Sequence, residues 1–214
     1  MNLNIGQVAI YGDTLEVLRK MPDKCVDAII DDAPYGKNIA GLGEIPPREV
    51  LTESLRISRG AVITFATSHV WCLRAYTKYN PPPDRMLIWS PEFKLGAIQS
   101  SQMIFRTHTI WCWNLPKKQY IKRINFDILR HCTATKHMEF EHKGAKPIPL
   151  MKDLLAAFCP VKGTVLDRYC GSGTTLLAAK ELGMLAIGID RDPYSIDITR
   201  RRLYEADKQV NLFT

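Results

Sequence analysis

Residues Val165–Thr175, VLDRYCGSGTT, place a Gly-x-Gly turn between an apolar predicted strand and a predicted helix, an arrangement typical of α/β folds that bind nucleotides. Glycines at such a turn let a ligand approach the backbone, and the N–H groups at the start of a helix favour anionic groups. The turn therefore indicates a nucleotide-like ligand. A tight turn that binds nothing is the alternative when the glycines are considered alone.

Two further features separate the nucleotide-binding classes. The loop lacks the full Gly-x-Gly-x-x-Gly pattern and a Walker lysine, which disfavours a dinucleotide oxidoreductase and a P-loop enzyme. Asp190 ends the next predicted strand roughly 20 residues after the turn, where a carboxylate can accept hydrogen bonds from ribose hydroxyls. The alternative role for Asp190 is to complement the dipole of the following helix, for which Asp192 competes.

Strands alternate with helices along most of the chain, which predicts an α/β protein. We predict strands at Gln7–Tyr11, Val26–Ile30, Ala61–Ala66, Arg85–Trp89, Thr164–Tyr169 and Leu185–Ile189. We predict helices at Thr14–Met21, Pro47–Arg59, Val70–Lys78, Ile148–Phe158, Thr174–Leu182 and Tyr194–Glu205, with Gly183 as a C-cap. The expected fold is a single Rossmann-like domain, residues 1–214, with a mostly parallel, doubly wound sheet. Ligands bind beyond the carboxyl ends of such strands.

A second motif, Asp31–Gly36 or DDAPYG, follows an apolar predicted strand. Pro34 favours an extended conformation at Ala33 and has no N–H to donate. The Ala33 carbonyl and the Asp32 carboxylate can therefore both act as acceptors. Two acceptors beside the ring of Tyr35 suit a base that carries an amino group. An acidic turn closed by Pro and Gly is the alternative.

The DDAPYG segment and the distal GSGT loop together resemble the amino-group DNA methyltransferases. The catalytic segment comes before the glycine loop, which is the order of the β group. Three other segments resemble family patterns: Tyr11–Asp13 with the leucines after it, HKGAKP at His142–Pro147, and the tail Asp190–Leu203. The resemblance covers most of the chain and implies a class I methyltransferase fold with a circularly permuted motif order.

The resemblance also implies roles for the matching residues. Asp32 and the Ala33 carbonyl would hold the target amino hydrogens. Pro34 would shape the turn, and Tyr35 would stack on a base extruded from double-stranded DNA. The cofactor would be S-adenosyl-L-methionine, and the residues implied to bind it are Asp13, Lys146, Pro147, Asp167, Tyr169, Gly171, Ser172, Gly173, Thr174 and Asp190.

Three segments depart from the usual family pattern. The family usually has Asp-Pro-Pro-Tyr where this chain has Asp32–Tyr35, Asp-Pro-Phe where it has Asp167–Tyr169, and Pro-Thr-Gln where it has Lys143–Ala145. Ala33 retains the carbonyl that the chemistry uses, and Tyr169 retains an aromatic ring. We therefore expect an active enzyme, with a catalytically weak homologue that binds nucleic acid as the alternative.

The expected target is adenine N6, because the family more often has Asp at the first catalytic position for adenine and Ser for cytosine. Cytosine N4 stays open as the alternative, and so do RNA and a free nucleotide as substrates. The expected partner is DNA. The segment outside the core is small for a recognition domain, which suits either specificity for a short site or help from a second subunit, as in a homodimer.

Residues 91–145 hold most of the excess positive charge and form the candidate DNA-recognition region. The segment has nine Lys or Arg against four acidic residues, in a chain of net charge +7. Its part Ser100–Leu129 is interpreted as a loop-and-strand surface element. In it, Lys117, Lys118, Lys122 and Arg123 are expected to contact phosphates, and Trp111, Trp113, Tyr120 and Phe126 to stack on bases. A solubilised loop is the alternative. Arg200, Arg201 and Arg202 are a second candidate for phosphate contacts, or a solvated helix end.

Composition bears on compartment and metal binding. No apolar stretch approaches the ~18 residues of a membrane span, and the first residues lack a signal-peptide pattern, so we expect a cytoplasmic protein without membrane contact. The six cysteines form no Cys-x-x-Cys pair and are interpreted as reduced thiols. The spacing of the candidate ligands Cys112, His131, Cys132, His137 and His142 fits no structural zinc pattern, so no metal is expected.

Overall fold

The computed structural model describes residues 6–34, 46–67, 74–92, 107–121, 127–132 and 145–211. The strands are β1 Gln7–Tyr11, β2 Ala28–Asp32, β3 Val62–Thr67, β4 Arg85–Glu92, β5 His108–Trp113, β6 Ile128–Cys132, β7 Thr164–Asp167 and β8 Leu185–Asp190. The helices are α1 Thr14–Lys20, α2 Arg48–Ile57, α3 Ile148–Phe158, α4 Thr174–Glu181 and α5 Pro193–Asn211.

The strands form one eight-stranded sheet in the order β1-β8-β7-β2-β3-β5-β4-β6. β5 is antiparallel to β3 and to β4, and the other neighbouring strands are parallel. The carboxyl ends of the parallel strands therefore meet at one edge of the sheet, which we call the carboxyl edge. The start of β5, at His108, also lies at this edge.

Two hydrophobic clusters pack on opposite faces of the sheet. Alternate residues of a strand point to opposite faces, so Ile30 of β2 belongs to the cluster with α3 and α4, and Ile29 to the cluster with α1 and α2. Most of the eleven residues of α3 are apolar and buried. The residues on either side of the helix, Pro147 and Cys159, are buried as well. Helices thus cover both faces, as expected for a doubly wound sheet.

The predicted fold class is confirmed, and differences at element ends follow local chemistry. β2 begins at Ala28, two residues later than predicted, and continues through Asp31 and Asp32. β7 ends at Asp167, so Arg168 and Tyr169 belong to the following turn. Gly183 follows α4 with a φ of +67°, the left-handed conformation expected of a C-cap glycine. Of the predicted helix from residue 70 to 78, residues 70–73 lie outside the described residues and residues 74–76 are helical.

The interpretation of Trp111 and Trp113 as surface aromatics is wrong. Both lie on β5, which is inserted between β3 and β4, and their side chains are 4% and 2% exposed. Trp111 stacks on Tyr76 with ring centroids 5.7 Å apart, and Trp113 donates a hydrogen bond to the Pro81 carbonyl. β5 has a hydrogen-bonded partner strand on each side, so neither tryptophan lies on an edge strand. Tyr120 is exposed, and Phe126 lies outside the described residues.

The described part of the chain contains no helix that is long and apolar enough to cross a membrane. In the same residues, no three His, Cys, Asp or Glu side chains are grouped so that they could hold a metal ion. Cys25, Cys112, Cys159 and Cys170 are free thiols.

Candidate active site

The two sequence motifs meet at the carboxyl edge. β2 and β7 are adjacent parallel strands, and their register pairs Ala28 with Val165 and Ile29 with Leu166. Asp32 is the last residue of β2, and Asp167 is the last residue of β7. The DDAPYG segment and the glycine loop therefore leave neighbouring strands in the same direction, and a ligand beyond this edge can contact both.

Asp32 is bound by Lys146, which the resemblance had assigned to the cofactor pocket. The Lys146 ammonium donates a hydrogen bond to Asp32 Oδ2. The Lys146 side chain is 7% exposed and that of Asp32 is 29% exposed. The Lys146 ammonium also lies 5.5 Å from the ring centroid of Phe65 and 5.8 Å from that of Trp89, which are cation–π distances. The cation is thus held between two aromatic rings and one carboxylate.

The remaining residues of the DDAPYG motif extend from the end of β2. Ala33 is 1% exposed and Pro34 is half-buried. Tyr35 lies outside the described residues. Burial of Ala33 in the wall of the site is consistent with a small side chain at this position.

His108 lies near this cluster and was not singled out from the sequence. Its ring stacks on Trp89 with centroids 4.9 Å apart. Burial, and then the positive charge of Lys146, lower its pKa to about 4. His108 is therefore neutral at physiological pH and does not compete with Lys146 for the Asp32 carboxylate. The sequence signal was weak, because a single histidine in an irregular segment has no spacing that marks it.

Asp190 and Asp192 accept hydrogen bonds from different backbone amides. Asp190 accepts hydrogen bonds at 2.9 Å from the backbone N–H of Gly171 and from that of Asp192. Asp192 binds the amides of Tyr194 and Ser195 in the first turn of α5, at 3.2 and 3.1 Å. The helix terminus is thus served by Asp192, and the half-buried Asp190 carboxylate faces the glycine loop.

The glycine loop is held in place from α5. Gly173 has a φ of +79°, and a Cβ there would lie 2.7 Å from Thr199 Cγ2, so the fold itself requires glycine. The Thr199 hydroxyl donates to the Gly171 carbonyl at 2.8 Å. Arg202, 6% exposed, donates to the Ser172 carbonyl. The interpretation of Arg202 as a phosphate contact or solvated residue is therefore wrong, because its guanidinium is buried against the loop.

The start of α4 presents polar groups suited to a ligand. No side chain caps its N-terminus, which follows Gly173. Thr174 is 7% exposed, and its Oγ1 is buried without a hydrogen-bond partner among the described residues. The neighbouring Thr175 hydroxyl bonds to Asp167. A buried hydroxyl without a partner costs free energy that a bound polar ligand would recover.

Asp167 lies beneath the loop and is 3% exposed. It accepts a hydrogen bond from the Tyr169 N–H at 3.0 Å. Burial, and then the negative charge of Asp31, raise its pKa to about 8. A cationic ligand group would favour the ionised form of this carboxyl, so Asp167 fits the ammonium end of an amino-acid-like ligand.

Asp13 and Tyr169 complete the predicted set. Asp13 is exposed and caps α1 by accepting a hydrogen bond from the Glu16 N–H at 3.1 Å. The preceding Gly12 N–H binds the Asp190 carbonyl, so Asp13 lies at the same edge as the glycine loop. Tyr169 is half-buried, and its hydroxyl bonds to Thr14, which holds the ring beside α1.

A family model described as DNA methylase, of the N6 and N4 type, matches residues 65–201 of this chain. The chain belongs to the N6-adenine/N4-cytosine DNA methyltransferase family. The matched part of this methyltransferase contains Lys146 and the glycine loop, whereas Asp32 precedes it. The resemblance drawn from the sequence motifs is thereby confirmed at the level of the family.

Two curated relatives come from Haemophilus influenzae. The Type II methyltransferase M.HinfI is 27% identical over 252 aligned positions, which cover 94% of this chain and 69% of the relative. The Type II methyltransferase M.HindIII is 28% identical over 141 positions, which cover 63% of this chain and 45% of the relative. The chain therefore spans less than half the length of M.HindIII and about two thirds of M.HinfI.

Solved structures share the fold. The M1.HpyAVI complex with S-adenosylmethionine has a TM-score of 0.68 at 22% identity, covering 92% of this chain and 99% of that one. The PvuII DNA methyltransferase, which is cytosine-N4-specific, has a TM-score of 0.70 at 14% identity, covering 91% and 85%. These similarities confirm the Rossmann-like class I methyltransferase fold of this family member.

Proposed function

We propose that this protein is an S-adenosyl-L-methionine-dependent DNA methyltransferase that modifies the N6 amino group of adenine. One observation carries the proposal: Asp32 ends, and Ala33 directly follows, the strand that lies beside the one leading into the glycine loop. An acceptor pair and a nucleotide-binding turn on adjacent parallel strands can present a base amine to a cofactor methyl group. Membership of the family supports the same activity.

The chemistry follows from the weakness of the nucleophile. The lone pair of an exocyclic amine is delocalised into the base, so the amine attacks poorly. The Asp32 carboxylate and the Ala33 carbonyl would accept the two amino hydrogens and localise the lone pair on nitrogen. They would also stabilise the positive charge that develops on that nitrogen during in-line displacement. When bound, the cofactor supplies a methyl group activated by a sulfonium.

Lys146 orients the proposed catalytic carboxylate. Its ammonium is fixed by Phe65 and Trp89 and bonds to Asp32 Oδ2. A carboxylate held by a buried cation has fewer rotamers to lose when the base arrives. We therefore assign Lys146 to the positioning of Asp32 as well as to the wall of the cofactor pocket, which Pro147 continues into α3.

The residues of the glycine loop fit the cofactor. The Thr174 hydroxyl lacks a partner among the described residues, and the Asp190 carboxylate lies beside Gly171. We assign Asp190 to the ribose hydroxyls and Asp167 to the ammonium of the methionine part. Asp13 would bond to the adenine part, and Tyr169, Gly171, Ser172, Gly173 and Thr174 would line the site.

The target base must leave the duplex to reach this edge. Unstacking costs a few kcal/mol, which stacking on an aromatic side chain partly offsets. Tyr35 directly follows Pro34 and is the residue that we assign to this contact. A homodimer in which a second subunit helps to hold the DNA belongs to the same proposal, and the stoichiometry of the complex with DNA tests it.

DNA phosphates would be contacted at the carboxyl edge. The chain leaves this edge at Glu92 and returns at His108, and it leaves again at Cys132 and returns at Ala145. The two connecting segments contain Lys94, Arg106, Lys136 and Lys143, which we assign to phosphate contacts.

Lys117 and Lys118 do not belong to this surface. Both are exposed and follow the end of the antiparallel strand β5, at the opposite edge of the sheet. There the Asn114 amide donates to the Gly60 carbonyl at 2.9 Å, and the Leu115 N–H donates to Asp84 at 3.1 Å. Their charge is therefore assigned to solvation of that edge.

Cytosine N4 is the second candidate target. The PvuII enzyme of similar fold is cytosine-N4-specific, and the acceptor pair would hold either amine. Adenine is preferred because the first catalytic position is Asp32. Incubation of the protein with cofactor and unmethylated DNA, followed by mass spectrometry of nucleosides, tests the proposal. Detection of N6-methyladenine supports the proposal. Detection of N4-methylcytosine instead would make cytosine the target base. If neither modified base forms, the protein is a catalytically weak homologue.

A further inference from the structure

Arg168 stands where this family usually has proline, and the proposed chemistry gives it no role. Its guanidinium binds Asp31 with two parallel contacts, Nε to Oδ2 at 2.5 Å and Nη2 to Oδ1 at 3.1 Å. The Arg168 side chain is 4% exposed and that of Asp31 is fully buried. Two parallel contacts of this kind fix both distance and angle, which a single contact does not.

The remaining donors of Arg168 reach two other elements. Nη1 donates to the Ser54 hydroxyl of α2 at 2.9 Å, and Nη2 donates to the Thr64 hydroxyl of β3 at 2.5 Å. The Thr64 hydroxyl in turn donates to Asp31. One side chain thereby joins β2, β3 and α2, and each of its three nitrogens has an acceptor.

The backbone of Arg168 begins the glycine loop. Its carbonyl accepts a hydrogen bond from the Thr14 hydroxyl at 2.8 Å. It lies between Asp167, the last residue of β7, and Tyr169. Asp31 is adjacent to Asp32 in the chain. The side chain is therefore anchored to the residue that precedes Asp32, on the opposite face of β2, while the main chain sets the start of the cofactor loop.

Stability alone does not account for such a pair. Removing two charges from water is costly, and an apolar pair of similar volume is often as stable as a buried ion pair or more stable. Fixed geometry is the property that an apolar pair would not reproduce. Methyl transfer depends on the distance and alignment between nucleophile and methyl group, so the spacing between Asp32 and the glycine loop affects the rate directly.

We propose that Arg168, through its paired contacts with Asp31, is a positioning residue that sets the spacing between the Asp32–Ala33 acceptors and the glycine loop. The inference rests on the proposed function, because it concerns the alignment of the two reactants. The effect of Arg168 on the glycine loop itself can be measured by amide hydrogen exchange, without methylation.

The test uses variants that separate positioning from folding. The double variant Asp31→Leu/Arg168→Met replaces the ion pair by apolar side chains, and Arg168→Lys keeps a charge without the planar fork. Arg59→Met is the control, because Arg59 forms an exposed pair with Asp27 at the start of the same strand. Each is examined by thermal unfolding, calorimetry with the inert cofactor analogue sinefungin, single-turnover methylation with saturating DNA and cofactor, and amide hydrogen exchange.

We expect the double variant to fold, to bind sinefungin within about threefold of the wild type, and to methylate at least 30-fold more slowly. Arg168→Lys should lose less of the rate, and Arg59→Met none. Amides 169–173 should lose protection in the double variant while those of β8 keep theirs. Wild-type rate or unchanged protection of amides 169–173 in the folded double variant would overturn the inference. If the wild type itself does not methylate DNA, the proposed function fails, and the exchange of these amides still decides the positioning role.

Discussion

Lys146 and Asp32 lie 114 positions apart in the sequence and form an ion pair at the carboxyl edge of the sheet. The pair joins Lys146, two residues before α3 begins, to the last residue of β2. It makes the cation part of the geometry that holds the proposed catalytic carboxylate. The predictions below follow from this pair and from the contacts around the glycine loop.

Lys146→Met should lower the single-turnover methylation rate by roughly 10- to 100-fold, because Asp32 loses the cation that orients it. Met fills the space between Phe65 and Trp89, so the thermal midpoint should change little. Rapid-quench kinetics with saturating DNA and cofactor measure the rate. Lys152→Met is the matched control, since Lys152 lies on α3 in a partly exposed pair with Glu181. Equal rates for the Lys146 variant and the wild type would remove Lys146 from the positioning of Asp32.

Thr174→Val should weaken cofactor binding by about 3- to 10-fold, the contribution of one neutral hydrogen bond. Because Thr174 Oγ1 has no partner in the described part of the protein, the ligand-free variant should be as stable as the wild type or more so. Calorimetry and thermal unfolding measure the two effects. Thr175→Val is the contrast: its hydroxyl bonds to Asp167, so this variant should lose about 1 kcal/mol of stability. A stable Thr174→Val variant with full affinity would place the cofactor elsewhere.

Asp167 should make the ligand-free protein less stable as pH rises. Its pKa is about 8 in the folded protein because of burial and the negative charge of Asp31, against an ordinary value of 3.8. Between these values the unfolded chain has released a proton that the folded protein retains, so stability falls across this window and levels off above pH 8. The difference in thermal midpoint between the wild type and Asp167→Asn should follow this curve from pH 5 to 9. A difference that does not vary with pH would show that Asp167 ionises normally.

The effect of reversing a basic residue on DNA binding should depend on where that residue lies in the fold, and not on its charge alone. Reversing the charge of Arg106 and Lys136 should weaken DNA binding and reduce the log–log salt slope by about 2, since each phosphate contact contributes about 0.9. The same reversal at Lys117 and Lys118, which lie at the opposite edge, should leave the slope unchanged. Binding titrations at several salt concentrations measure both. A change of slope only for Lys117 and Lys118 would move the DNA surface to that edge.

Local signals accounted for much of the fold and for the location of the site. The glycine turn of Gly171 and Gly173 lies between an apolar strand and a helix. The patterns that indicate the strand, the turn and the helix lie within a few residues of one another. The permuted order of the motifs was likewise visible, because Asp32 precedes the turn in the chain. Where strand, turn and helix signals agree locally, the sequence suffices.

Contacts between distant segments were not predictable in this way. In the sequence, Arg168 was visible only as a departure from the family pattern. The pairing of β2 with β7 in the fold shows that it binds Asp31. Trp111 and Trp113 were interpreted as surface aromatics because the neighbouring sequence does not reveal that β5 inserts between β3 and β4. Arg202 sits in a basic run, and its burial depends on how α5 packs on the glycine loop. In each case the partner is far away in the sequence.

The role of Asp32 in methyl transfer to adenine N6 is best tested by comparing the wild type with Asp32→Ala. Two quantities are measured for each protein: the N6-methyladenine formed in one turnover and the affinity for the cofactor. Asp32 is assigned to a contact that strengthens in the transition state, so its loss should lower the rate by about 10² or more and change cofactor affinity little. Mass spectrometry of nucleosides gives the rate, and calorimetry gives the affinity. We expect N6-methyladenine from the wild type and almost none from Asp32→Ala, with intact cofactor binding in both. Equal formation of N6-methyladenine by both proteins would contradict it.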